Sequence, residues 1–148
     1  MTAPDADSRL AALNAAYMAT RYVVPALGLT LRVGQHSPEL DAVLRQHDAH
    51  GWMFISACNP YSRAVLCQHE NLARHQNLLD ALNTAGLVFF EGFGEGDDGQ
   101  WPAEPSALVL AVDAPAAAAW GQRFEQNAVL SGTLGGAAGL LWCLPADA

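Results

Sequence analysis

The stretch Trp52-Met53-Phe54-Ile55-Ser56-Ala57, followed at once by Cys58-Asn59-Pro60-Tyr61-Ser62, decides how the rest of the chain is read. Its first six residues are nearly all apolar, the pattern of a central strand buried on both faces. The polar cluster from Asn59 to Ser62 then breaks the run. A long helical segment is predicted from about 62 to 85, with Gly86 as its stop. On that helix Val65, Leu72, Leu79 and Leu82 mark the core face, and Glu70 and Arg74 stand at i,i+4 spacing. A buried strand that runs into a helix is the unit of an α/β domain, and ligands bind outside the carboxyl end of such a strand.

On the N-terminal side, Leu10, Leu13, Ala16 and Tyr17 form a helical stripe within residues 10–22. Pro25 and Gly28 end it, and residues 29–33 alternate as a strand. Ser37-Pro38-Glu39 reads as a helix start, with Ser37 capping, Pro38 in the first turn and Glu39 at the positive end of the dipole. Leu40, Val43 and Leu44 face inward on that helix.

On the C-terminal side, residues 87–93 predict a strand. Gly92, Gly94, Gly96 and Gly99 predict an acidic loop with Glu95, Asp97 and Asp98. A strand over 106–112, a helix from Asp113 and Pro115 through Phe124, and two last strands near 127–131 and 140–144 complete the series. The order predicts an α/β (α+β-like) fold, a single mixed sheet with helices packed on it and not a Rossmann repeat. No linker interrupts it, so residues 1–148 read as one mixed α/β domain with room for a real core.

Hydrophobic residues make up 51% of the chain and charged residues 15%, below the usual ~25%. Such a chain buries much of itself or covers part of its surface, and the expectation is a homodimer. The formal charge is −8, and the seven basic residues are all arginines, scattered from Arg9 to Arg123. Without a concentrated positive surface to release phosphate counterions, nucleic-acid binding is not expected. A local pair such as Arg63 and Arg74 still suits one anionic group. Residues 1–7 carry two acids and no positive stretch of a secretory signal, and no apolar run approaches a membrane span. The three cysteines, Cys58, Cys67 and Cys143, lack CxxC spacing and fit reduced thiols in the cytoplasm.

The candidate site starts at the strand–helix junction. Asn59 and Ser62 either cap the helix or, with its exposed amides, receive a phosphate or carboxylate. Tyr61 either stacks on a ring or packs, and Arg63 either balances an anion or stays solvated. Asn71 falls near the edge of the buried face, where an amide needs a partner, and Arg74 follows one turn later. Glu104 lies between Pro102 and Pro105 before an apolar strand, where desolvation would raise its pKa and suit it to general acid or base work. Gln126 and Asn127 either satisfy helix-end carbonyls or orient a ligand.

No metal site is expected. His69 and His75 are off the i,i+4 spacing of helical ligand pairs, and the acidic glycine-rich segment does not match an EF-hand. No cofactor is expected either, since there is no phosphate loop, no GxGxxG before a helix, and no lysine at all. Cys58 has no neighbouring histidine to activate it.

The blocks Ser56-Ala57-Cys58-Asn59-Pro60-Tyr61-Ser62, Glu70-Asn71 with Arg74, Trp101-Pro102-Ala103-Glu104-Pro105-Ser106 and Phe124-Glu125-Gln126-Asn127-Ala128 resemble those of the DUF3293 family of uncharacterised bacterial domains. The resemblance covers residues 17–129 or so. In that family the segment before the asparagine usually reads Thr-Ala-Trp. Here Cys58 replaces the large aromatic and would alter any pocket wall it forms. The resemblance implies no activity. It implies a shared site that groups Asn59, Ser62, Asn71, Arg74, Glu104, Gln126 and Asn127.

The leading expectation is binding of a small polar or anionic, nucleotide-like ligand, with hydrolase or group-transfer chemistry through Glu104. The alternative is a non-catalytic protein-interaction or regulatory subunit, using Trp101, Trp120 and the apolar glycine-rich end near Leu134 to Trp142.

Overall fold

A computed structural model of the chain describes residues 6–62, 66–99 and 102–143. Helix α1 spans Ala6–Met18 and leads into strand β1, Thr20–Val24. A 3₁₀ turn over Pro25–Leu27 closes on Gly28, whose positive φ of 63° fits the missing Cβ. Strand β2 is Leu29–Leu31, helix α2 Pro38–Gln46 and strand β3 Gly51–Ser56. Helix α3 covers Gln68–Thr84, followed by β4 (Phe89–Gly96), β5 (Glu104–Leu110), α4 (Ala114–Arg123), β6 (Ala128–Thr133) and β7 (Gly139–Trp142).

The fold is mixed α/β, with four helices on one seven-stranded sheet. The strand order is β2-β1-β4-β5-β3-β6-β7, and every neighbouring pair is antiparallel. β3 lies between β5 and β6, with Met53 opposite Val109 on one side and Ser131 on the other. Its place inside the sheet explains why four consecutive residues, Trp52 to Ile55, are buried.

Alternation divides these side chains between two cores. Trp52, Phe54, Leu108, Leu110 and Leu130 pack with Leu40 and Leu44 of α2, and with Tyr17 of α1. Met53, Ile55, Ala107, Val109 and Val129 pack with Leu78, Leu79 and Leu82 of α3 and with Ala117 and Trp120 of α4. The sheet is thus covered on both faces. The cap residues act as expected: Ser37 Oγ accepts from Leu40 N–H, and Asp113 accepts from Ala116 N–H.

Four local expectations are corrected. Tyr22 belongs to β1, not to the first helix, because its alternation with Val24 places both in the core. The long helix starts at Gln68 and not near 62, since Cys67 before it is extended (φ −67°, ψ 162°). Leu72 is 48% exposed, and the core face of α3 is His75, Leu78, Leu79 and Leu82. Gly92, Gly94 and Gly96 lie within β4, not in a loop. A Cβ on Gly92 would run into the Val23 carbonyl and the Phe54 ring, so glycine is required where β4 passes under that aromatic.

Val65, Trp101 and Leu144 lie outside the described residues, as does Arg63.

Candidate functional site

β3 ends at Ser56 and α3 begins at Gln68, and among the described residues between them only Pro60–Ser62 form a helical turn, of the 3₁₀ kind. Residues in this crossing must find backbone partners elsewhere. Asn59 and Asn71 supply the first clamp. The Asn59 N–H donates to Asn71 Oδ1 at 3.0 Å, and Asn71 Nδ2 donates back to Asn59 Oδ1 at 3.0 Å. Asn59 Oδ1 also accepts from Leu66 N–H at 2.9 Å, so one side chain ties both ends of the crossing. Asn59 therefore braces the segment that precedes α3, while Cys67 occupies the cap position without a side-chain cap bond.

The loop carbonyls are met by side chains from distant elements. Arg74 Nε on α3 donates to the Ala57 carbonyl, and its Nη2 donates to the Phe124 carbonyl at 3.2 Å. Gln126 Nε2 donates to the Cys58 carbonyl at 3.1 Å. The Tyr61 carbonyl receives Asn127 Nδ2 at 2.9 Å and Arg9 Nη2 of α1 at 3.1 Å. The Tyr61 N–H donates to the carbonyl of Glu125, itself left-handed with φ 59°. Arg74 also lies 3.6 Å from Glu125 Oε1, and this replaces the expected pairing with Glu70. Glu70 instead accepts from the Cys67 thiol.

Glu104 stands at the start of β5, at the same end of the sheet. Its Oε1 accepts from Ser56 Oγ at 2.7 Å, and Ser56 Oγ accepts from Cys58 N–H at 3.0 Å. Register places Ser56 opposite Ser106, so Ser56 and Glu104 continue the even-numbered face that carries Phe54 and Leu108. That face is the one toward Tyr17 and Tyr22. Burial pushes the Tyr17 phenol up to about 12 and Tyr22 further, with the negative charge of Glu104 adding to both. The clamp built on Asn71 and Arg74 belongs to the α3 side. The crossing thus separates two polar groups, a carboxyl–hydroxyl pair on the α1 side and an amide–guanidinium frame on the α3 side.

Burial holds the Glu104 carboxyl above its usual range, and the Ser56 hydroxyl offsets part of that rise. Cys58 sits between the two groups, touched by the charge of Glu104 and by that of Arg74, and burial pushes its thiol up to about 11. A thiol so raised is a weak nucleophile at neutral pH.

Seven of the nine anticipated residues thus converge on one loop: Asn59, Tyr61, Asn71, Arg74, Glu104, Gln126 and Asn127. Of Ser62 the backbone closes a 3₁₀ turn, while its side chain, like all of Arg63, lies outside the described residues.

A model for a protein family of unknown function, DUF3293, matches residues 55–129, just over half of the chain. The chain belongs to the DUF3293 family. The matched span runs from the end of β3 to the start of β6, so it contains the whole crossing and every side chain of the clamp except Arg9. No curated protein and no solved structure matches the chain.

Ser56 was not singled out from the sequence, although a lone hydroxyl at the end of an apolar run was its signal. Arg9 and Tyr17 carried none, because only the packing of α1 brings them to this end of the sheet. Among the described residues, no group of three or more His, Cys, Asp or Glu could hold a metal ion. No described helix is long and apolar enough to cross a membrane.

Proposed function

We propose that the chain binds a small polar ligand at the carboxyl of Glu104, the group through which it would act as acid or base in hydrolysis or group transfer. The observation that carries this reading is a partly buried carboxyl, held above its usual range, at the start of a central strand and beside a crossing braced by long-range side-chain bonds. A braced loop beside a carboxyl of raised pKa is the arrangement that acid–base chemistry needs. The donors an anion would require are spent on carbonyls, which favours a polar over an anionic, nucleotide-like ligand.

Native mass spectrometry of the purified protein tests it. Wild type is expected to carry a small molecule that Glu104→Gln loses while Asn59→Ala, with a loosened loop, retains only in part. A wild-type spectrum free of adduct, unchanged by either substitution, counts against the site.

A second reading is a non-catalytic interaction or regulatory subunit. It is favoured by side chains that satisfy one another and by the exposure of Leu72 and Trp142. Within either reading we place the chain in a bacterial cytoplasm as a homodimer with no nucleic-acid partner. Free thiols at all three cysteines, low charge and dispersed arginines support that placement. Sedimentation at micromolar concentration would check the dimer.

A further inference from the structure

β2 and β7 are the outermost strands of the sheet, yet the segment after β2 meets the segment before β7. Gly34 N–H donates to the Ala138 carbonyl at 2.7 Å, Ala138 N–H donates to the Gln35 carbonyl at 3.0 Å, and His36 bridges to Ala137. The sheet therefore curls until its two margins touch at one end. At the other end, where β3 finishes and β5 and β6 begin, α1 lies between the margins. It runs into Thr20, which pairs with Gly96 of β4, while the Tyr17 ring stands edge-on to Trp142 of β7 at 5.9 Å. Arg9 reaches past β7 to the Tyr61 carbonyl in the crossing.

The partly buried Glu104 carboxyl and the Ser56 hydroxyl lie at this end, on the face toward α1. The Tyr17 phenol comes to the Ala128 amide and feels the charge of Glu104.

α1 is held far less firmly than the other helices. α2, α3 and α4 each bury residues in a core, whereas none of residues 8–18 is buried. A cleft of about 440 Å³ also separates α1 from β7, lined by Leu10, Ala11 and Asn14 on one side and Trp142 on the other. A 13-residue helix is marginal without packing, and elements with few buried contacts open well below the free energy of global unfolding.

We infer that α1 is a lid over the open end of the curled sheet, and that a ligand reaches the Glu104 carboxyl when α1 swings off β7 and the crossing. The inference rests on Glu104 as the ligand-binding group and adds how that group is reached. Lid opening of this kind admits substrate and, on closing, shuts water out.

The experiment joins amide hydrogen exchange of the full chain to carbodiimide labelling of its carboxyls with glycinamide, both read by mass spectrometry. Amides of residues 10–18 are expected to exchange at least about tenfold faster than those of 52–55 in β3. Glu104 should label more slowly than Glu39, which is exposed on α2. Arg9→Ala removes the tie to the Tyr61 carbonyl and should speed labelling of Glu104 about tenfold, the worth of one hydrogen bond from a charged group, with Glu39 unchanged. Trp142→Ala releases the β7 side and should act in the same direction. The wild-type exchange stands whether or not either variant folds.

Exchange of residues 10–18 in step with β3 overturns the lid. So does Glu104 labelling as fast as Glu39 in wild type, or labelling that neither substitution changes. These readouts need no ligand and so part from the adduct measurement. An adduct lost in Glu104→Gln beneath a fixed α1 keeps the site and removes the lid. A mobile α1 with no adduct removes the site, and with it the lid's function.

Discussion

Asn59 and Asn71 hold each other through two reciprocal hydrogen bonds of 3.0 Å, one backbone to side chain and one side chain to side chain. The pair ties the left-handed Asn59 to the first turn of α3. Asn71→Ala removes the acceptor for Asn59 N–H and the donor for Asn59 Oδ1, and is expected to lower stability by about 2 kcal/mol. At position 59, alanine is expected to cost about 1 kcal/mol more than glycine, because φ 48° penalises a Cβ in addition to the lost side-chain bonds. Urea denaturation of the three variants checks both statements, and equal losses for Asn59→Ala and Asn59→Gly would refute the backbone argument.

Glu104 should reverse the usual carboxylate behaviour with pH. Its folded pKa is raised by burial, so the native state holds the proton more tightly than the unfolded chain. Stability contributed by the protonated form is then present below the unfolded value and is lost as pH rises through the folded value. Glu104→Gln cannot titrate. Its stability relative to wild type is expected to improve as pH rises from the ordinary carboxylate range through the higher folded value and to level off above it, read from denaturation curves at each pH. A gap that does not vary with pH would count against a raised value.

Asp41 should do the opposite. Its Oδ1 accepts from Gly135 N–H at 3.0 Å and its Oδ2 meets His36 Nε2 at 2.5 Å, tying α2 to the β6–β7 turn. The Gly135 amide, then His36, hold its carboxyl below the usual range. Its contribution is therefore present above the unfolded value and fades as pH falls through the lower, folded one. Asp41→Asn is expected to be less stable than wild type at neutral pH, with the difference shrinking in acid. A difference that persists unchanged in acid would mean that shape, not charge, decides this contact.

Gly121 shows how closely α4 approaches the sheet. A Cβ there would run into Cys143 Sγ and come within 3.2 Å of Val129 Cγ1. Gly121→Ala is expected to cost about 1–3 kcal/mol as overpacking, despite the higher helix propensity of alanine. Thermal denaturation checks the sign, and a stabilised variant would show that α4 can move away.

Much of this architecture was legible because burial and periodicity coincide. β3 announced itself by four buried apolar residues in succession, and α2 by Ser37-Pro38-Glu39. β1 was not legible. Its Tyr22 continues a helical stripe from Leu10 and Tyr17, and only pairing with β2 and β4 makes Thr20–Val24 a strand. The glycines of β4 misled for a related reason, since Gly92 is there to let the Phe54 ring pass and not to turn the chain. At the site, residue types were informative and roles were not. Asn59, Asn71, Arg74 and Gln126 do converge, but a sequence cannot show that their donors end on backbone carbonyls, because those bonds depend on the path of the crossing. Nor could it show that Glu104 and Arg74 belong to opposite faces of the sheet.

The strand order carries a consequence for synthesis. Met53 must wait for Val109 and then Ser131 before β3 has both its neighbours. On a ribosome adding about 5–20 residues per second, the run Trp52 to Ile55 emerges seconds before anything can cover it. Non-local pairing of this kind makes for slow folding, and an uncovered apolar run is a template for contact with other chains. The yield of folded protein then depends on how briefly β3 stays bare, so a chaperone over it or rapid translation after it favours the fold.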